Sequence, residues 1–255
     1  MTAPARRPAS HSRGKERRVG GYARLDHDRG RRVGVPEVVL GEGKTVDHLL
    51  GIVRAFLADG RGAFVSRPTP AQLRALGRLN RGGSRTRPLA GGRLVRVVGP
   101  LGLSYRRGTV AILAAGTSDV PVAEEARALL GELGIRVVHA YDVGVAGLHR
   151  LLRALAQLAR ARPEVYLVFA GREGALPTVV AGLVRAPVVG VPTSVGYGRG
   201  GRGEAALAAM LQSCAPLAVV NIDAAVPAAL FAAQRFVSQG EVAPRPPSPV
   251  RRPPT

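Results

Sequence analysis

Between residues 107 and 237 the chain repeats one pattern five times: a short apolar run, a polar loop punctuated by glycine, then an amphipathic stretch. The apolar runs fall at 110–114, 135–140, 165–170, 188–191 and 217–222. Unbroken apolar runs of this length suit strands covered on both faces. The spacing predicts helices over 121–133, 148–161, 204–214 and from 224 to about 237, with a short one starting at Pro177. Pro121 fits a first helical turn, and Gly134 fits the position after a helix end. Strands joined by crossover helices dictate a parallel α/β sheet, doubly wound, with right-handed connections. The polar clusters read A-G-T-S-D at 115–119, Y-D-V-G-V-A-G-L-H-R at 141–150, A-G-R-E-G-A-L-P at 170–177, V-P-T-S-V-G-Y-G at 191–198 and V-V-N-I-D at 219–223. All five sit at the carboxyl ends of strands, where open α/β sheets build ligand sites.

The region 21–100 reads differently, as a smaller α+β domain. Leu49, Leu50, Val53, Phe56 and Leu57 recur at helical spacing. Strands are expected at 63–66 and 94–98, a short helix at 70–79, and a flexible loop at 80–92. Residues 1–20 and 240–255, rich in Pro, Arg and Ser without apolar periodicity, read as a disordered basic tail and a disordered Pro-rich tail.

The formal net charge of +20 invites a nucleic-acid reading. Part of that charge lies in the tails, and only Lys15 and Lys44 are lysines, so the excess is an arginine bias spread along the chain. Aromatic residues make up 4%, too few for base-stacking platforms, and no nucleic-acid motif appears. The expectation is no specific nucleic-acid partner, only salt-dependent adhesion to polyanions. One cysteine excludes an internal disulfide and any Cys-based zinc cage. No apolar run approaches a bilayer span, so no membrane partner is expected and the cytoplasm is the default location.

Each motif admits a plain structural role beside a chemical one. G-E-G-K-T at 41–45 ends like a P-loop, but the pattern needs glycine at position 38, which is Val38. An ATPase is rejected, and Lys44 stays either a ligand group or a solvated loop lysine. Ser118 and Asp119 either cap a helix or hold an anion at its N-terminus. His149 and Arg150 are either ordinary helix surface or a grip on a phosphate or carboxylate. Glu173, between Gly171 and Gly174, is a solvated carboxylate or a group close to a ligand. Cys214 follows Leu207, Met210 and Leu211 by seven, four and three positions, which puts it on a helix's apolar face as a buried hydrophobe. As a nucleophile it would need a cation nearby, because a helix C-terminus disfavours a thiolate.

Taken in order, D-H-D-R…G-V-P-E-V-V…G-E-G-K-T, A-G-T-S-D-V-P-V-A-E-E-A, Y-D-V-G-V-A-G-L-H-R-L-L, E-G-A-L-P-T-V-V-A-G-L-V, V-P-T-S-V-G-Y-G and S-C-A-P…V-V-N-I-D resemble the LarB family of nickel-pincer nucleotide cofactor biosynthesis, over about 24–223. The C-terminal region is similar to the purine-pathway carboxylase PurE. The resemblance implies a PurE-like fold and a carboxylase/hydrolase acting on nicotinic acid adenine dinucleotide and CO2 or bicarbonate. It implies Cys214 as the nucleophile that adds to the pyridinium ring, Glu173 as the base at C5, and His149 as a further catalytic group. Ser118, Asp119, Asp142, Arg150, Thr193 and Ser194 are the implied substrate contacts, with Lys44 and Arg29 covering the adenylate end. No tightly bound cofactor is expected; Mg2+ is the expected aid to phosphoanhydride hydrolysis, with no ligands assigned. A homo-octamer is the implied assembly. The chain departs from the family pattern at Arg172, where Met is usual, and at 224–227, where A-A-V-P replaces N-G-F-G. PurE-like enzymes carry His where this chain has Ala175. The alternatives are an aminoimidazole ribonucleotide carboxylase/mutase and a non-enzymatic nucleotide-binding module.

Overall fold

The computed structural model describes residues 16–80, 83, 85–196 and 198–238. The N-terminal domain opens with an antiparallel hairpin of β1 (Glu16–Val19) and β2 (Ala23–Asp26). It continues through α1 (Arg29–Val33), β3 (Val38–Leu40), α2 (Val46–Ala58), β4 (Ala63–Ser66), α3 (Pro70–Arg78), β5 (Thr86–Leu89) and β6 (Leu94–Val97). The four later strands form a mixed sheet in the order β3-β4-β6-β5. Helix α2 starts where the Thr45 hydroxyl accepts from the His48 amide, and it buries Leu49, Ile52, Val53 and Phe56. Thr69 and Gln72 close a capping box on α3, with Pro70 in its first turn.

Two expectations change here. The tail read at 1–20 is strand at its end: Arg17 pairs with Asp59, and Val19 packs on the α2 core. Residues 1–15 and 239–255 lie outside the described residues, as do 81, 82 and 84 of the loop read at 80–92. That loop also yields β5. Asn80 makes this possible by binding the amides of Arg85 and Thr86 and the Thr86 carbonyl, and Pro88 is tolerated because β5 is an edge strand.

The C-terminal domain runs β7 (Thr109–Ala114), α4 (Val120–Glu132), β8 (Arg136–Ala140), α5 (Leu148–Ala159), β9 (Val165–Ala170), α6 (Ala175–Ala181), β10 (Val188–Pro192), α7 (Glu204–Leu211), β11 (Leu217–Val219) and α8 (Ala225–Gln234). All five strands are parallel, in the order β11-β10-β9-β7-β8. The doubly wound sheet expected from the apolar runs is present. Helices α4 and α8 cover one face, and α5, α6 and α7 cover the other. Every residue of β7 and β9 is buried, as the apolar runs at 110–114 and 165–170 require. No helix among the described residues is long and apolar enough to cross a membrane.

Three boundaries move. Helix α6 begins at Ala175, two residues before Pro177, and β11 is three residues long. Helix α7 stops at Leu211, because the Ser213 hydroxyl accepts the Ala215 amide and turns the chain. Cys214 therefore lies outside the helix.

The N-terminal sheet packs directly on α4. Phe64 and Leu94 join the core formed with α4 and α8. Glu125 of α4, 1% exposed, accepts from the Ser66 hydroxyl at 2.6 Å and from Arg93 at 3.3 Å. At the far end of the C-terminal domain, Tyr105 and Val237 form an antiparallel bridge, flanked by Arg106 N–H to the Phe236 carbonyl and Ser238 N–H to the Ser104 carbonyl. The segment that leads into the domain is thus clasped to the segment that leaves it.

Candidate active site

The chain winds from β7 out to β8 and returns to β9 on the other side of β7. The loops after β7 and β9 therefore diverge to opposite faces and leave a crevice at the carboxyl ends of these strands. Asp119 occupies it. Its carboxylate, 4% exposed, accepts from the Gly116 amide at 2.8 Å and from the Thr193 hydroxyl. Thr193 follows β10 and is fully buried. Burial pushes the Asp119 carboxyl above its ordinary range; the bonds from Thr193 and Gly116 oppose this, and the charges of Glu173 and Asp223 reinforce it.

The structure thus brings together Asp119, Thr193, Glu173 and Asp223. Glu173 is exposed, in the loop between β9 and α6. Asp223 receives the Ser194 amide at 2.9 Å, so Ser194 is held here too. Its backbone is left-handed, at φ 55°, an uncommon state for a residue with a side chain and one that Asp tolerates better than most. Asp142, at φ 57°, shares that state in the loop after β8. Asp223 stands in V-V-N-I-D at 219–223, where the sequence alone assigns it no role. Its signal was position: a carboxylate just past a strand and just before a helix.

Gly171 explains how the loops come so close. A Cβ there would lie 2.3 Å from the Thr193 hydroxyl, 2.3 Å from the Val195 carbonyl and 3.0 Å from an Asp119 oxygen. Gly171→Ala is expected to destabilise the protein by about 1–3 kcal/mol, the usual cost of overpacking. It should also reduce turnover at least about tenfold, because a shift near 1 Å at a catalytic group can cost more than that. Thermal melting and initial rates check both; an unchanged variant would show that the crevice is slacker than drawn.

The remaining residues are spread more widely. Ser118 is exposed on the 3-10 turn Thr117–Asp119. His149 and Arg150 lie exposed in the first turn of α5, where Arg150 donates to Asp142 at 2.6 Å. Lys44 sits in the turn before α2, and its carbonyl accepts from Gln72; nothing ties its side chain to the crevice. Arg29 lines a cleft between the domains that extends to Asn221–Ala224, which leads toward Asp223. Among the described residues no group of three or more His, Cys, Asp or Glu could hold a metal ion.

Cys214 departs from the helix-face expectation. It is exposed, not buried on a helix face. It also precedes β11, whose Leu217 pairs with Val188 at the start of β10. Thr193 follows the other end of β10, so at about 3.3 Å per residue the thiol lies roughly 20 Å from Asp119 and Thr193 within one chain.

Residues 109–243 match the AIR carboxylase family, and residues 17–82 match the LarB/PurE-like N-terminal domain. The chain is 38% identical over 213 residues to an uncharacterized protein of Methanocaldococcus jannaschii, a match covering 82% of each chain. It is 33% identical over 129 residues to the N5-carboxyaminoimidazole ribonucleotide mutase of Pyrococcus horikoshii, covering 48% of this chain and 69% of that one. A probable mutase of the same name from Methanothermobacter thermautotrophicus is 35% identical over 131 residues, 49% of this chain and 37% of its own.

Proposed function

We propose, because the chain belongs to the LarB family with its PurE-like C-terminal domain, that it is a carboxylase/hydrolase of nicotinic acid adenine dinucleotide. At the coarser level it is an enzyme of the carboxylase/mutase class. The observation that carries the finer reading is the exposed thiol of Cys214. A pyridinium C5 is electron-poor and does not attack CO2. Addition of the thiolate at C4 turns the ring into an enamine-like dihydropyridine. C5 then attacks CO2, loses its proton to Glu173, and the ring expels the thiolate as it becomes aromatic again. Water cleaves the phosphoanhydride to release AMP and the biscarboxylate mononucleotide. Asp119 and Thr193 orient the ribose-phosphate, Ser118, Ser194 and Asp142 line its approach, and Arg150, with His149 beside it, supplies positive charge for the phosphate and the thiolate.

The distance from Cys214 to Asp119 is closed by a second copy of the chain. Leu183 and Leu211, 53% and 66% exposed, lie on the Cys214 end of the sheet. Leu148 and Leu152, each 48% exposed, lie on α5 beside His149 and Arg150. Joining the first patch of one copy to the second patch of another is a heterologous contact, which gives a ring when the rotation between copies closes and an open filament when it does not. Static light scattering at micromolar concentration is expected to give a closed oligomer, an octamer by family resemblance. A monomer there rejects the shared site.

The mutase relatives favour one other reading, a reaction on an aminoimidazole ribonucleotide. Ala175, where PurE-like enzymes carry His, argues against it. Incubation with bicarbonate and nicotinic acid adenine dinucleotide, followed by mass spectrometry, is expected to show AMP and a product carrying one added CO2. Turnover of the aminoimidazole ribonucleotide instead would select the mutase reading, and turnover of neither would leave a binding module.

A further inference from the structure

Carboxylating a ring and cleaving a phosphoanhydride need different groups. Cleavage takes a base for the attacking water and a cation for the oxygen that leaves. Two clefts open where the N-terminal domain meets the carboxyl end of the C-terminal sheet, one of about 730 Å3 and one of about 430 Å3. Arg67 and Asp223 are the residues that line both. Asp223 also belongs to the crevice around Asp119, since it receives the Ser194 amide and its charge acts on the Asp119 carboxyl. Both clefts therefore run into the catalytic end at this one carboxylate.

Arg67 has a left-handed backbone, at φ 49°. That state is uncommon for a residue with a side chain, and the residue before a proline, here Pro68, is pushed toward extended backbone. The Arg67 amide, bonded to the Arg93 carbonyl at 2.6 Å, pins the turn against that preference. Asp223, at φ 55°, lines the clefts from the other domain in the same uncommon state. Such backbone states gather at functional sites. The Arg67 side chain is 32% exposed, so it has surface with which to meet a ligand. It pairs with exposed Glu42, which spends only part of a planar fork suited to phosphate. Exposed ion pairs are weak, so Glu42 gives way to a phosphate. Arg93 also lines the narrower cleft, but its Nε is committed to buried Glu125.

We propose that Arg67 and Asp223 form a hydrolytic pair, with Asp223 taking a proton from water and Arg67 gripping the substrate's diphosphate. The water oxygen bonds to one phosphorus, and the bond from that phosphorus to the bridging oxygen breaks. The bridging oxygen leaves on the other phosphate with the electron pair, and its new charge faces the Arg67 guanidinium. Asp223 then passes its proton to solvent. This assignment rests on the dinucleotide reading and adds to it the groups that release AMP.

Single-turnover reactions of the full chain, followed by mass spectrometry, test the pair. Arg67→Gln removes the charge and is expected to lower AMP release at least about a hundredfold, the usual loss when one electrostatic partner of a transition state goes. Asp223→Asn keeps an acceptor for the Ser194 amide and tolerates the left-handed backbone, and it should lower AMP release by a similar factor. Carboxylation should fall less in both, so that carboxylated dinucleotide accumulates uncleaved. Melting curves report which variants are folded. ADP-ribose carries the diphosphate without the pyridine ring, and calorimetry should show it binding at least about tenfold more weakly to Arg67→Gln. The proposal is overturned by AMP release at the parental rate from either folded variant, by carboxylation and cleavage falling in step, or by ADP-ribose binding that is the same with and without Arg67. A parent chain that leaves the dinucleotide untouched, but whose ADP-ribose binding depends on Arg67, refutes the reaction and keeps the diphosphate site. A parent that turns over the dinucleotide, with AMP release indifferent to Arg67 and Asp223, refutes this pair alone.

Discussion

Cys214→Ser is expected to lower carboxylation at least about a hundredfold, because serine is a poorer nucleophile and a poorer leaving group. Folding and dinucleotide binding should survive, since the side chain is exposed and contributes no core packing. The parent enzyme given substrate should show a transient loss of pyridinium absorbance, or a cysteinyl adduct by mass, and the variant should show neither. A near-parental rate from Cys214→Ser would reject the thiolate route. The same variant tests the shared site. Mixed and reassembled with inactive Asp119→Asn chains, it should regain part of the activity, because one copy then supplies the thiol and another the carboxylate. A mixture that stays inactive counts against a thiol supplied from a neighbouring copy.

The second large effect is expected at Asp119. Asp119→Asn keeps the volume but gives the Thr193 hydroxyl and the Gly116 amide one acceptor where they had two. Hydrogen bonds to charged groups contribute about 1.5–3 kcal/mol each, so losing one or both should reduce kcat/KM by about a hundredfold. The substitution also carries a pH signature. Burial raises the folded-state pKa of Asp119 above the unfolded value of 3.8. The folded protein therefore holds this proton more tightly, and stability present below pH 3.8 is lost as pH rises through the folded-state pKa. Asparagine cannot lose a proton, so the variant's stability should fall less across that window in denaturant titrations. Parallel pH profiles for parent and variant would show that the Asp119 carboxyl is not perturbed as described.

The order of elements from β7 to α8 was legible because a strand buried on both faces must be largely apolar, and β7 beyond Thr109 and all of β9 are. Strand β5 was not legible. Its sequence, T-R-P-L, has two exposed residues, one of them the proline, and it is held by Asn80 and by pairing with β6. Tertiary contacts outweighed local propensity there. Cys214 was misplaced by a single local bond: its spacing from Leu207 and Met210 suits a helix face, but the turn at Ser213 ends the helix first. Among the site residues, the loops were visible as glycine-rich breaks. The partnership of Asp119 with Thr193 was not, because 74 residues separate them and only the strand order makes them neighbours.

The clasp between Tyr105 and Val237 bears on how such a chain came to be assembled. Because the C-terminal domain begins and ends at one place, it can be spliced to another polypeptide at that spot without rerouting any strand through its core. That modularity fits the mutase relatives, which share only about half of this chain, 48% and 49% in the two cases above. It also makes the junction the natural place to reorder the sequence: a circular permutant joining 238 to 104 and opening a distant loop should keep the five-stranded sheet, with the segment before residue 104 still needed to cover α4 through Phe64 and Leu94.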